Sequence, residues 1–122
     1  MHRDIKPENM LLQRVGGRSS ERASEPISEA QDSTIILKVC DLGQCRRMSE
    51  GGNLTEYVST RWYRAPEILV GSRTYDKSVD IWALGCMIPE LLSGKPLFPG
   101  NSNFEALAYV IKTMGNSAMT ES

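Results

Sequence analysis

Residues 2–12 read HRDIKPENMLL, a polar loop that runs directly into a short apolar segment. A second apolar and β-branched segment, IILKVC at residues 35–40, is followed at once by Asp41. Apolar segments of this length that are rich in β-branched residues favour β-strands. We therefore predict that the two segments pair as a β-hairpin, and that the hairpin brings Asp4 and Asp41 together despite their separation in sequence.

The segment between the two predicted strands, residues 13–34, contains two glycines, five serines and almost no large apolar side chain. Such a composition cannot bury enough apolar surface to offset the entropy lost on ordering. Loop-closure entropy grows only slowly with length, so a long connection does not prevent the strands from pairing. We expect residues 13–34 to be a flexible insert within the hairpin.

Two helices are predicted in the middle of the chain. The first is a short helix over residues 64–71, bracketed by a proline and a glycine. A longer helix starts at Asp76 or Ser78, either of which can cap its first turn, and reaches about Ser93. Its apolar residues cover most of its circumference, which predicts a central, buried helix. Pro89 is unexpected there, because an interior proline costs about 3 kcal/mol unless the helix kinks or ends.

A third helix is predicted from near Ser102 to Met114, with Gly115 as its stop. Its apolar residues form one stripe of the kind that normally faces a core: Phe104, Leu107, Ala108, Ile111 and Met114. Residues 116–122 follow as a tail. These elements predict a mainly α-helical domain over residues 1–115, with one β-hairpin.

The composition of the chain excludes several classes of protein. Fourteen basic and fifteen acidic residues give a net charge of −1, which supplies no overall field for capturing nucleic acid or anionic lipid. The apolar runs are far shorter than a membrane helix, which needs about 20 residues, and the amino end lacks an apolar secretory segment. We therefore expect no nucleic-acid or membrane partner.

The three cysteines, without a Cys-x-x-Cys pair, indicate neither a disulfide framework nor a zinc site. We expect a reducing location, cytoplasmic, nuclear or both.

The predicted hairpin also gathers residues suited to a metal–nucleotide site. Asp41 and Asn9 offer hard oxygen ligands for Mg²⁺. Lys6 offers a cation for phosphate, and Asp4 offers a base. Any one of these residues alone is more often a turn residue or a solvated charge. Their joint placement around one hairpin indicates a common site.

Three short motifs occur in a fixed order along the chain: HRDIKPEN at residues 2–9, DLG at residues 41–43 and APE at residues 65–67. They resemble, in that order, the catalytic loop, the metal-binding triplet and the end of the activation segment of eukaryotic protein kinases. Residues 80–82 resemble the start of the central helix of the large lobe, where Asp80 would brace the catalytic loop through backbone hydrogen bonds. No Gly-x-Gly-x-x-Gly motif occurs. The resemblance implies a partial kinase C-terminal lobe with its catalytic loop, β-hairpin, activation segment and central helices, the small lobe being absent.

The resemblance also implies ATP-dependent phosphoryl transfer with Mg²⁺ as the metal. Asp4 would orient the substrate hydroxyl and accept its proton, and Lys6 would neutralise the γ-phosphate of ATP. Asn9 and Asp41 would hold Mg²⁺ across the phosphates. Leu11 would form the floor under the adenine.

The segment LTEYVSTRWYRAPE at residues 54–67 resembles the activation segment of mitogen-activated protein kinases and of their relatives around the male germ cell-associated kinase. This resemblance implies that an upstream activating kinase phosphorylates Thr55 and Tyr57. A phosphate adds about two negative charges and strong acceptors, so it orders a loop where guanidinium groups meet it.

Four arginines are implied as partners of these phosphates. By family position, Arg3 and Arg46 would face the phosphothreonine. Arg61 and Arg64 would face the phosphotyrosine, and the alternative for each arginine is a solvated charge. Arg64 also resembles the arginine that favours proline after the phosphoacceptor, and Thr60 would lie beside the catalytic aspartate. The implied substrates are proteins with Ser/Thr-Pro sites.

Two interpretations of the chain remain open. The first is a segment of a Ser/Thr kinase that is active within a complete kinase domain. The isolated chain would then be inactive, because phosphoryl transfer depends on positioning surfaces that this sequence does not encode. The second is a non-catalytic large-lobe fragment that binds a partner or competes for kinase docking, or a truncated gene product without function.

Overall fold

The computed structural model describes residues 1–16, 34–47 and 60–115. Within these residues, two strands and three helices are joined by loops and 3₁₀ turns. The strands are β1 (Met10–Val15) and β2 (Thr34–Val39), and the helices are α1 (Pro66–Leu69), α2 (Ser78–Ser93) and α3 (Asn103–Met114). The 3₁₀ turns are Pro7–Asn9, Leu42–Gln44 and Arg61–Tyr63. The predicted hairpin and the three predicted helices are confirmed.

The hairpin is longer than the sequence predicts. β1 and β2 are antiparallel, and Val15 lies opposite Thr34 at the far end of the ladder. Residues 13–15 and Thr34, expected to belong to the insert, are therefore paired. The ladder satisfies backbone N–H and C=O groups whatever the side chains are, so polar residues can extend a strand that an apolar segment starts. Residues 17–33 of the expected insert lie outside the described residues.

The start and end of α2 are fixed by local hydrogen bonds. Asp76 Oδ1 accepts a hydrogen bond from Ser78 N at 2.7 Å. This bond holds the pKa of the Asp76 carboxyl below its ordinary value. At the other end Gly94 adopts a left-handed conformation with φ of 71°, and its N–H donates to the Glu90 carbonyl at 2.7 Å. The extent of the helix agrees with the prediction, but its N-cap residue is Lys77, which makes no side-chain cap hydrogen bond, instead of Asp76 or Ser78.

Pro89 lies inside α2 without ending it, since the helix continues to Ser93. A proline has no N–H, so the carbonyl four residues earlier, at Gly85, has no helical donor. Gly85 is an exposed residue, so solvent is close to this position. The helix therefore tolerates the proline at a position where the lost hydrogen bond can be replaced by solvent.

α2 is buried on one side, so the expectation of a helix buried all round is wrong for the described part of the chain. Its buried residues are Val79, Ala83, Cys86 and Met87. Its exposed large apolar residues are Ile81, Leu84, Ile88, Leu91 and Leu92. The described elements that pack on α2 include the 3₁₀ turn Arg61–Tyr63 and the segment around Phe98, and they leave the other side uncovered. No helix among the described residues has the length and apolar character needed to cross a membrane.

α3 also turns a different face to the core than its apolar stripe predicts. Its buried residues are Ala106 and Val110, whereas Phe104 is 81% exposed. The backbone of Gly100 approaches Ala106 so closely that a small residue is required at this contact. The helix therefore packs against the core with a face of smaller side chains. The predicted apolar stripe is largely exposed.

The core joins the amino-terminal loop to the helices. Its buried residues are Ile5, Tyr63, Ala83, Cys86, Met87, Phe98 and Val110. The rings of Trp82 and Phe98 stack at its edge, with their centroids 5.9 Å apart. Because Ile5 follows Asp4 directly, the core holds the loop that carries the candidate catalytic residues.

The contact between Gly100 and Ala106 yields a prediction about stability. A Cβ at position 100 would lie 2.6 Å from Ala106 Cα, a distance that requires the backbone to shift. We expect Gly100→Ala to lower the free energy of unfolding by about 1–3 kcal/mol, as overpacked cores do. Gly85→Ala is the matched control, because a Cβ there meets no atom within 4 Å. Urea unfolding of both variants measures the effect, and equal midpoints would contradict it.

Candidate active site

The Asp4 carboxylate is the centre of a compact polar cluster. Asp4 Oδ2 lies 3.2 Å from Lys6 Nζ and accepts a hydrogen bond from Asn9 Nδ2 at 3.1 Å. The same amide nitrogen donates to the Asp4 carbonyl at 2.8 Å. Asp4 and Asn9 are buried, and Lys6 is half-buried. The structure thus brings together the three residues for which the sequence predicts catalytic roles.

The side chain of Asn9 is oriented by these bonds. Because both amide hydrogens are donated to Asp4, Asn9 Oδ1 remains as an acceptor for a cation. The Asn9 carbonyl accepts a hydrogen bond from Cys40 N at 2.9 Å. Asp41 is the residue that follows Cys40 in the chain. The hairpin therefore places Asp41 one residue beyond the backbone contact of Asn9, and the predicted meeting of the Asp4 and Asp41 side chains stays a prediction.

Asp41 presents its carboxylate at an exposed turn. Its backbone is left-handed, with φ of 62°, and its Oδ1 accepts from Gly43 N at 3.3 Å. Among the described residues no group of three or more His, Cys, Asp or Glu side chains could hold a metal ion. A carboxylate and an amide oxygen are ligand types that Mg²⁺ accepts, and Mg²⁺ commonly uses few protein ligands when it is bound with phosphates.

Asp80 holds the amino-terminal loop from α2. Its two carboxylate oxygens accept from the backbone N–H groups of His2 at 2.7 Å and Arg3 at 2.8 Å. Arg3 has a left-handed backbone with φ of 74°, which is unusual for a residue other than glycine. The two hydrogen bonds fix the loop in this conformation, and the predicted bracing contact is observed.

His2 links the same loop to the end of β2. Its Nδ1 accepts from Asp4 N at 3.2 Å, and its Nε2 lies 3.1 Å from the Cys40 carbonyl. With Nδ1 as an acceptor, this pattern corresponds to the tautomer in which Nε2 donates to the Cys40 carbonyl. His2 therefore supports the backbone on both sides of the site.

Comparison with known proteins decides the family. Residues 1–121 match the family model described as protein kinase domain. This chain belongs to the protein kinase family.

The relatives of this kinase chain fall in one group of the family. It is 45% identical to cyclin-dependent kinase-like 4 of Homo sapiens over 115 residues, which cover 94% of this chain and 25% of that protein. It is 43% identical to cyclin-dependent kinase-like 2 of Oryctolagus cuniculus, over 95% of this chain and 17% of that protein. It is 42% identical to mitogen-activated protein kinase 15 of Mus musculus, over 99% of this chain and 20% of that protein. These relatives are CMGC kinases, and the predicted family and group are confirmed. The chain spans about a quarter or less of the length of these relatives.

The kinase residues predicted to contact substrate lie around one small cavity. Asp4, Thr60 and Arg64 line it, together with Asp80 of α2. Thr60 and Asp4 thus share a cavity, and the placement of Thr60 directly beside the Asp4 carboxylate stays a prediction. Leu11, predicted to lie under adenine, is in β1 opposite Lys38, and 54% of it is exposed.

The four arginines predicted to bind phosphate lie in three different environments. Arg3 is buried, with its guanidinium 5.8 Å from the ring centroid of Tyr75. The Arg46 side chain is exposed, and its Nη1 donates to the Cys45 carbonyl at 3.3 Å. Arg61 and Arg64 lie together, as described below. The phosphoacceptors Thr55 and Tyr57 lie outside the described residues, so the phosphate roles stay predictions.

Asn103 is a neighbour of the site that the sequence analysis does not identify. Arg61 Nε donates to its Oδ1 at 3.1 Å, and Arg64 Nη1 donates to the same oxygen at 3.4 Å. Asn103 is the first residue of α3 and follows the capping residue Ser102. A polar residue at this position is ordinary for a helix start, so no local signal distinguishes it.

The cysteines of this kinase chain differ in accessibility, which yields a prediction. Burial, and then the nearby Glu90 carboxylate, raise the pKa of the Cys86 thiol to about 12. Cys40 and Cys45 are half-buried. Because the thiolate is the nucleophile, we expect iodoacetamide at mildly alkaline pH to modify Cys40 and Cys45 before Cys86. Mass spectrometry of quenched samples measures the order, concentrated urea is the control that removes it, and early modification of Cys86 would contradict it.

Proposed function

We propose that this chain is the large-lobe part of a protein kinase, and that within a complete kinase domain it catalyses ATP-dependent phosphorylation of serine or threonine in proteins. The observation that carries the proposal is the contact of the buried Asp4 carboxylate with both Lys6 and Asn9. A base, a cation for phosphate and an amide oxygen for a metal are the parts that phosphoryl transfer needs in one place.

Each residue of this cluster has a role that follows from its contacts. Asp4 orients the substrate hydroxyl and accepts its proton, because its carboxylate lines the cavity that a hydroxyl can enter. Lys6, already 3.2 Å from Asp4, places its ammonium group where it can meet the γ-phosphate. Asn9 Oδ1 and the Asp41 carboxylate would hold Mg²⁺, which supplies charge neutralisation of the phosphates when bound with ATP. Leu11 would contact the adenine.

The residues around the cavity support a proposal about substrate preference. Arg64 is buried at the cavity beside Thr60, where it can shape the space for the residue that follows the phosphoacceptor. We propose a preference for Ser/Thr-Pro sites in protein substrates. We also propose activation by an upstream kinase at Thr55 and Tyr57, and a cytoplasmic or nuclear location.

The exposed apolar side of α2 supports the proposal that the isolated chain is inactive. Large apolar residues such as Ile88 and Leu92 are 60% and 86% exposed on this helix, which indicates that they pack against further protein. The same observation favours the alternative function, a non-catalytic fragment that binds a partner through this surface.

One experiment separates the two functions. The 122-residue chain and a complete CMGC kinase domain carrying this segment are each assayed with Mg²⁺ and ATP on peptides that differ only in Ser-Pro, Thr-Pro, Ser-Ala or Tyr-Pro at the acceptor. We expect the complete domain to phosphorylate the Ser-Pro and Thr-Pro peptides in preference to the others, and the isolated chain to phosphorylate none. Equal rates on Ser-Ala would refute proline direction. A complete domain without phosphoryl transfer would favour the binding fragment.

A further inference from the structure

Tyr75 contacts the guanidinium group of Arg3 through the face of its ring. The guanidinium carbon lies 5.8 Å from the ring centroid, within the range of about 6 Å over which an aromatic ring attracts a cation. Arg3 is 5% exposed, and such a contact is stronger away from solvent than at an exposed site. The ring acts alongside the other groups that interact with Arg3. It therefore adds to the forces that hold this side chain in place.

The backbone of Arg3 is held by the same part of the chain. Its N–H donates to Asp80 Oδ1 at 2.8 Å, and Asp80 lies on the first turn of α2, shortly after Tyr75. The Arg3 backbone is left-handed, with φ of 74°, so it depends on support from its surroundings. Residues 75–80 thus hold both the backbone and the side chain of the residue that precedes Asp4.

Local hydrogen bonds on both sides fix the segment that carries Tyr75. Ser72 Oγ accepts from Thr74 N at 3.3 Å and donates to the Thr74 carbonyl at 2.9 Å. On the other side, Asp76 Oδ1 accepts from Ser78 N at 2.7 Å. Because these bonds flank Tyr75, its ring is presented to Arg3 from a constrained connection between α1 and α2.

The ring and the guanidinium group belong to the walls of two different cavities. Arg3 lines the small cavity that Asp4 also lines, whereas Tyr75 lines a larger one together with Trp82 and Phe98. Among the described residues, none lines both cavities. A smaller aliphatic side chain at position 75 would open the guanidinium group toward the larger cavity. The ring is therefore placed both to attract this cation and to shield it.

We propose that Tyr75 is a positioning residue of the candidate active site, and that it acts on Asp4 through Arg3. Its ring holds the Arg3 guanidinium group while Asp80 holds the Arg3 backbone. Together they fix the direction in which the next residue, Asp4, presents its carboxylate. This inference rests on the proposed function, in which Asp4 accepts the proton of the substrate hydroxyl. It gives Tyr75 an effect on turnover without a contact with substrate or ATP.

The first test measures turnover in a complete kinase domain that carries this segment, with Mg²⁺, ATP and a Ser-Pro peptide. We expect Tyr75→Leu to lower kcat about five- to thirtyfold, the range that loss of a partly desolvated cation–π contact represents. The KM values for ATP and peptide should stay within about twofold, because the ring lies in the wall of the other cavity. Tyr75→Phe keeps the ring face, so its kcat should stay within about threefold of the wild type.

Tyr109→Leu is the matched control for this test. It removes the same side chain from α3, where Tyr109 is 42% exposed, and its kcat should stay within about twofold of the wild type. A Tyr75→Leu domain with the turnover of this control would overturn the inference. A Tyr75→Phe domain as impaired as Tyr75→Leu would overturn it as well, because the ring face would then have no effect.

A second measurement separates attraction of a cation from simple packing. Arg3→Met keeps an unbranched side chain without the charge, so Tyr75→Leu and Arg3→Met, made singly and together, isolate the interaction between the two side chains. In urea unfolding of the complete domain, we expect a coupling of about three- to tenfold in the unfolding equilibrium constant. A Tyr75 that merely fills space would lose the same stability in both backgrounds, and that result would overturn the inference. Where Arg3→Met does not fold, Tyr75→Phe should unfold at a higher urea concentration than Tyr75→Leu, and equal midpoints would overturn the inference.

Failure of this inference and failure of the proposed function have different signatures. A wild-type domain without phosphoryl transfer would refute the function, but the unfolding measurements would still report the contact between Tyr75 and Arg3. An active domain with additive effects in the unfolding measurements would refute the role of Tyr75. The proposed roles of Asp4 and Lys6 would then be unaffected.

Discussion

Replacing Asp4 with asparagine in a complete kinase domain that carries this segment is expected to lower kcat by about 10²–10⁴-fold, the range that a positioned general base contributes. The substitution keeps the shape of the side chain and its hydrogen bond with Asn9. It removes the negative charge that faces Lys6 at 3.2 Å and the group that accepts the proton of the substrate hydroxyl. A steady-state assay on a Ser-Pro peptide measures the change in kcat and in the KM for ATP.

Glu8→Gln is the matched control for this prediction. Glu8 is an exposed acid in the 3₁₀ turn Pro7–Asn9, four residues from Asp4, and its conversion to an amide removes the same charge outside the cluster. We expect its kcat to stay within about twofold of the wild type, as for most surface changes. An Asp4→Asn enzyme that retains a double-digit percentage of wild-type turnover would refute the assigned role.

Asp80→Asn is expected to lower the free energy of unfolding by about 3 kcal/mol, because a charge-assisted hydrogen bond is lost and an NH₂ group is placed against a backbone N–H. In the wild-type chain, the Asp80 carboxylate accepts hydrogen bonds from the backbone N–H groups of His2 and Arg3, at 2.7 and 2.8 Å. An asparagine has one oxygen and can satisfy one of them. With one bond fewer, the left-handed backbone of Arg3 loses support, so activity should fall together with stability.

Asp76→Asn is the control, since it makes the same change at the start of the same helix. An asparagine side chain also carries an oxygen that can accept the hydrogen bond from Ser78 N, so this bond can be kept. We expect urea unfolding to show little change for Asp76→Asn and a clear loss for Asp80→Asn. Equal unfolding curves for the two variants would mean that the hydrogen bonds of Asp80 do not stabilise the loop.

The elements that could be predicted from the sequence are those that local residues specify. The hairpin follows from two β-branched segments, and the end of α3 follows from Gly115. Ser102 accepts from Glu105 N at the start of that helix, as its place in the sequence predicts. These signals act over a few residues, so they can be recognised without knowledge of the tertiary structure.

The faces that the helices bury could not be predicted in the same way. Hydrophobic spacing favours the stripe that includes Phe104. The face that is actually buried depends on which backbone lies close to the helix. Here Gly100 lies against Ala106, which is on a different face from that stripe. The contact of Asn103 with two arginines could not be predicted for a related reason, because these partners lie about 40 positions away in the chain. The family resemblance identified the arginines but carries no information about their shared acceptor.

The two hydrogen bonds of Asp80 also bear on the order in which the chain folds. They join residues 77 and 78 positions apart in sequence, so they close the longest loop among the contacts that build the site. Contacts of such separation carry a large entropy cost and tend to form after local ones. The hairpin and the individual helices can form early, but the strained conformation of Arg3 must wait until α2 has docked. The loop that carries Asp4 is thus expected to assemble late, once the tertiary structure around it is complete.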